Sequence, residues 1–202
     1  MLSVVFVLNH PALSRAEGEK AVISSLQGTA VILRQNQVIP AGVGMACQKN
    51  DLLKTSPDCT LDLSINDKAG CRVLAGSDCE ITETKESAMK VTIRNGNAIM
   101  NLEKLPAQSS FQVDTPTAIA SVRGTQFWGR VDLQQANNPV TTFAVRQGEV
   151  EILVKAAQKT FTLKPGQALD IPKDSPAPPF IRPALDAELK AMEQASQIKT
   201  SA

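Results

Sequence analysis

The residues able to do chemistry are few, and their spacing is the first constraint on function. Four cysteines, Cys47, Cys59, Cys71 and Cys79, stand close together, and no two of them form a CxxC pair. An even count in an exported chain predicts two disulfides among them, with three pairings open. A zinc site, which favours close cysteine pairs, and free thiols packed as small hydrophobes are the alternatives. The one histidine is His10, inside an N-terminal segment read below as cleaved, and there is no tyrosine. A mature chain without histidine lacks the commonest general acid/base and the commonest transition-metal ligand. No motif singles out two carboxylates as a pair, and no nucleophile elbow, zincin helix, P-loop or dinucleotide fingerprint occurs. The chain is therefore expected not to be an enzyme, and no metal and no cofactor is assigned to it.

Two residues stand out as recognition candidates. Arg123 precedes a glycine, where its guanidinium either bonds nearby backbone carbonyls or offers a bidentate donor to a carboxylate. Trp128, the lone tryptophan, is either a packed hydrophobe or a platform for a ligand.

These side chains need a scaffold, and the pattern from about Ala21 to Ile171 is one of short strands. Ala30–Leu33, Leu61–Ile65, Met89–Ile93, Phe111–Val113, Phe127–Leu133, Phe143–Val145, Val150–Val154 and Phe161–Leu163 are rich in β-branched or bulky residues, and most alternate with polar ones. Turn residues punctuate them, and Asn95-Gly96 between alternating runs predicts a hairpin. The body is expected to be all-β, a single domain whose short strands form either a coiled, solenoid-like sheet or a sandwich.

The ends differ in composition. Residues 1–16 carry the apolar run Leu2–Leu8 and small residues at Ser14 and Ala16, which predicts a signal peptide cleaved before Glu17. The run is too short for a bilayer-spanning helix, so no permanent membrane span is expected. Residues 17–171 form the β domain, and the proline-rich stretch 172–183 reads as an extended linker. Residues 184–198 read as one amphipathic helix with Leu185, Leu189 and Met192 on its apolar face.

The most informative stretch runs from Phe111 to Phe127. Phe111 and Val113 begin a strand, Thr115-Pro116 interrupts its pairing, and Ala118, Ala120 and Val122 place small residues on one face of the next strand. Arg123-Gly124-Thr125 turns the chain sharply, and Phe127 returns an apolar anchor. This stretch resembles the signature of the FecR domain family, the extracytoplasmic β domain of iron-dicitrate-type sensor regulators. Thr115, Pro116, Val122, Gly124, Thr125 and Phe127 carry the resemblance, and flanking pieces such as Gly28–Val31, Asp51–Thr55 and Thr142–Val150 extend it over about residues 22–171. No cytoplasmic anti-sigma segment precedes the β domain in this sequence, and the four cysteines are not part of the general signature.

With 21 Lys and Arg against 20 Asp and Glu the net charge is +1, and no basic run stands out, so nucleic acid is not an expected partner. The resemblance implies a free-standing binding or sensing module of the bacterial cell envelope. It would be periplasmic or secreted and would act through a protein or an envelope polymer. The alternative is a structural or assembly component of an envelope or secretion complex that docks through its C-terminal helix.

Overall fold

Alternating apolar and polar residues form seventeen strands in a computed structural model that describes residues 21–85, 87–133, 138–173 and 179–200. The signal peptide assigned to residues 1–16 lies outside the described residues. The first strands are β1 (Ala21–Gln27), β2 (Ala30–Arg34), β3 (Gln37–Pro40), β4 (Ala46–Cys47), β5 (Leu52–Thr55) and β6 (Thr60–Ile65). Then come β7 (Ala69–Val73), β8 (Asp78–Lys85), β9 (Ala88–Leu102), β10 (Ser110–Asp114), β11 (Ala118–Val122) and β12 (Gln126–Asp132). The last are β13 (Val140–Gln147), β14 (Val150–Val154), β15 (Lys159–Leu163), β16 (Gln167–Pro172) and β17 (Ile181–Pro183).

They form two sheets that share one strand. The first runs β4-β1-β6-β7-β9-β12-β13-β16-β17. The second runs β3-β2-β5-β8-β9-β10-β11-β14-β15. Every described pairing is antiparallel except β9 with β10. The chain passes repeatedly from one sheet to the other, so the body coils like a solenoid while its two layers pack like a sandwich. Leu61, Leu63 and Phe127 of the first sheet meet Leu53, Ile81 and Val113 of the second in a single core. Burying each such side chain contributes on the order of 1.5–3 kcal/mol.

Strand β9 corrects the hairpin expected at Asn95-Gly96. Up to Asn95 it pairs with β8 and from Gly96 onward with β12, so the dipeptide is a bend within one long strand. Gly96 has φ +83°, and a Cβ there would lie 2.6 Å from Ser77 Cα. A two-residue turn folds a chain back only if the flanking runs can pair with each other. Here each half of β9 has other partners on both sides.

The C-terminal segment lies on the outer face of the first sheet. The helix expected over 184–198 is shorter, with α1 confined to Asp186–Ala191 and a single 3₁₀ turn at Ala195–Gln197. Met192, Ala195 and Ile198 are buried while Leu185 is exposed. Their three-residue spacing matches the 3₁₀ period, and the sheet beneath, rather than the 3.6-residue pattern, selects the docking face. Of the expected linker, Pro172 ends β16 and Ile181–Pro183 pairs with it as β17. Residues 174–178 lie outside the described residues.

The predicted disulfides are absent: Cys47, Cys59, Cys71 and Cys79 are all free thiols, and all are buried. Cys71 and Cys79 touch through a thiol hydrogen bond that, together with burial, raises the Cys71 pKa well above its ordinary value. Burial pushes Cys47 up to about 12. Each thiol points inward among aliphatic neighbours, where it packs as a small hydrophobe.

Candidate binding corner

The signature stretch forms the β10–β11 turn and the β11–β12 corner, and its parts do different work. At the turn, Thr115 is a buried knot. Its Oγ1 accepts from the Ala118 amide at 3.1 Å and from the Thr141 hydroxyl at 3.0 Å, and donates to the Ala118 carbonyl at 2.9 Å. One donor and two acceptor positions are thereby all used. Since Thr141 lies on β13, the knot ties the second sheet to the first. Pro116 occupies the turn itself, where an amide donor is not needed. Beside it, Asp114 takes Lys155 at 2.6 Å and Lys90 at 2.8 Å. Burial pushes that carboxyl up, but the two ammonium groups outweigh burial and hold it below the usual carboxylate range.

At the corner, Val122, Thr125 and Phe127 are buried and Arg123 is exposed. Phe127 packs against Phe143 with ring centroids 6.4 Å apart. Gly124 has φ +99°, and a Cβ there would come within 3.0 Å of Lys104 Cα. The corner also seats against the β13–β14 turn, where a Cβ on Gly148 would meet Thr125 Cγ2 at 2.7 Å and the Gly124 carbonyl at 2.8 Å. Arg123 thus projects from a corner gripped on both sides. Its guanidinium has no hydrogen-bond or ion-pair partner among the described residues, and neither do its exposed neighbours Lys104 and Glu149.

Trp128 lies elsewhere. It points from β12 to the outer face of the first sheet, 7% exposed, and packs with Ile99, Ala144 and Ala168 under Met192, Ala195 and Ile198. Its Nε1 is buried without a partner among the described residues. The indole is buried with the chain's own C-terminal segment while Arg123 is exposed, so Arg123 and Trp128 are not brought together.

Sequence reasoning missed the residues that hold that segment down. Arg182 donates to Asp170 through Nε at 2.6 Å and Nη2 at 2.9 Å, and to Glu188 through Nη1 at 2.9 Å and Nη2 at 2.6 Å. Glu188, the third residue of α1, also accepts from the Leu185 amide at 2.7 Å, half of a capping box. Burial raises the Asp170 carboxyl, but hydrogen bonds from Arg182 and Thr142 hold it below its usual range. An acid three residues into a helix was a visible capping signal; its shared arginine was not. Asn101 Nδ2 and Arg146 Nη1 add bonds to the Ile198 and Met192 carbonyls at 3.0 and 2.8 Å. Among the described residues no cluster of His, Cys, Asp and Glu suits a metal ion, and no helix is long and apolar enough to cross a membrane.

Known proteins share this architecture. One crystal structure of a Parabacteroides distasonis protein, provisionally assigned as an anti-sigma factor and solved at 1.65 Å, superposes with a TM-score of 0.59. It is 17% identical, over 71% of this chain and 64% of that one. A second, at 2.50 Å, gives a TM-score of 0.57 and 18% identity over 70% of this chain and 62% of that one. The chain spans less than two thirds of those proteins' length, and at such identities the likeness is one of fold. No curated protein matches the sequence. The FecR protein family model matches residues 51–151, half of the chain and the whole of the Thr115–Phe127 corner, so the chain belongs to the FecR family.

Proposed function

We propose that this chain is a non-enzymatic, extracytoplasmic binding or sensing module of the bacterial cell envelope that engages a protein partner through the Arg123 corner. The observation that carries this reading is the state of Arg123. Buried neighbours and interlocking glycines fix its backbone, yet its guanidinium is exposed and without a partner. A planar donor on a fixed backbone position and left unused favours bidentate capture of a carboxylate on an incoming surface. Membership of the FecR family and the anti-sigma assignment of the structural neighbours support a regulatory role, and the apolar stretch within residues 1–16 supports export. The assembly alternative relied on the C-terminal helix as a docking element. Because that helix packs on its own β body, the sensing reading is the better supported of the two.

The test is site-specific photocrosslinking in intact cells of origin. A benzophenone amino acid in place of Arg123 is expected to capture a discrete protein adduct in the extracytoplasmic fraction, while the same probe at exposed Lys164 is not. No adduct at position 123, identical adducts at both positions, or an adduct confined to the cytoplasmic fraction would overturn the reading.

A further inference from the structure

The C-terminal segment does not cover the outer face of the first sheet completely. Between it and strands β1, β6 and β7 remains a groove of about 270 Å³. Its rim carries the neutral side chains of Ser25, Gln27, Thr60, Gln194 and Gln197. None of these has a side-chain hydrogen-bond partner among the described residues. Leu74 and Ile99 supply an apolar floor. The charged groups lining the groove are Asp62 and Arg72, and they are spent on each other, with Arg72 Nε and Nη2 donating to the two carboxylate oxygens at 2.7 and 2.8 Å.

Each feature excludes something. With its ion pair closed on itself, the groove offers no free charge to attract an anion or a cation. An apolar peptide side chain would strip water from five neutral polar groups and return no hydrogen bonds, which is costly. A sugar ring fits both requirements. Its C–H face can lie on the partly exposed Leu74, which Ile99 backs from beneath, while its hydroxyls, each a donor and an acceptor, meet amides and hydroxyls of the same dual character. The oxygens of Asp62 keep lone pairs to accept further hydroxyls, and the ion pair holds that carboxylate at 7% side-chain exposure. The volume lies just below the roughly 300–1,000 Å³ of drug-sized ligand pockets, as suits a mono- or disaccharide.

We infer that this groove binds a neutral saccharide unit. It shares no residue with the Arg123 corner and stands or falls independently of it. Saturation-transfer NMR on the folded chain, with maltose, cellobiose and N,N′-diacetylchitobiose as probes and digalacturonate as the anionic contrast, tests the assignment. At least one neutral disaccharide is expected to show saturable binding in the millimolar range, accompanied by shifts of the Gln27, Gln194 and Gln197 side-chain amides. The exposed double substitution Gln27→Ala with Gln194→Ala is expected to weaken it at least tenfold, with an unchanged circular dichroism spectrum. Absence of binding by all three neutral probes, binding of digalacturonate alone, or full affinity in the folded double variant would overturn the inference. Testing the free disaccharide that binds against a soluble neutral polysaccharide of the same repeat unit then distinguishes a soluble sugar from a polymer, tighter apparent binding of the polysaccharide marking the polymer.

Discussion

Thr115 and Arg123 sit on the same signature and use their polar groups in opposite ways. The Thr115 hydroxyl is saturated inside the body, whereas the Arg123 guanidinium is left to solvent. A buried polar atom without partners would cost about 1–3 kcal/mol, so Thr115 serves packing, while an unused exposed donor costs nothing and remains available. The cysteines follow the same logic of burial. Each is surrounded by aliphatic residues, and Cys47, with a pKa pushed to about 12, carries almost no thiolate at pH 8. The native chain is therefore expected to react slowly with a disulfide reagent at pH 8. After unfolding without reductant it should yield four free thiols. Recovery of two or fewer would show that oxidation pairs them.

At the scale of elements, the informative unit is the C-terminal segment. Six residues of α-helix are too short to be stable alone in water, so the sheet and the Arg182 clamp must hold α1 in place. Arg182→Ala leaves buried Glu188 without its cation, which disfavours the docked state. The variant is expected to exchange the amides of 186–198 faster and to shift Trp128 emission to the red, with the core strands still protected. Unchanged exchange there would mean that the apolar contacts suffice. Acid should act on the same clamp. The Asp170 carboxyl lies below its ordinary value of 3.8 in the folded chain. Its contribution is therefore fully present above that value and lost as the pH falls through the lowered one. A red shift of Trp128 emission is thus expected only in the acid range below about pH 4, the ordinary aspartate pKa.

For the whole molecule, β9 decides cooperativity. It is the one described strand belonging to both sheets, so neither layer can be lost without it. Gly96→Ala forces a Cβ toward the Ser77 backbone and an L-residue into a positive φ, a strain of roughly 1–3 kcal/mol before any clash is counted. Urea unfolding of the variant is expected to stay a single transition with its midpoint lowered. Two separated transitions would show that the sheets unfold independently.

Much of this architecture is legible along the chain because its determinants are local. Alternation in runs such as Val150–Val154 predicts a strand that the structure reproduces to the residue, and the Thr115–Phe127 motif points to the family through the turn chemistry of its own residues. What tertiary structure alone decided depends on partners distant in sequence. Asn95-Gly96 carries the same local signal whether it closes a hairpin or bends a strand, and only the neighbours on either side of β9 choose between them. The cysteine count is compatible with bridges, a zinc site or buried thiols, and in the folded structure all four are buried as free thiols. Arg182, Asp170 and Glu188 form one network only when β17 lies beside β16, and the saccharide-sized groove exists only because the last residues fold over the first sheet. Local dihedral preference and alternation are written residue by residue, whereas contacts between remote segments arise only once the whole chain closes on its core.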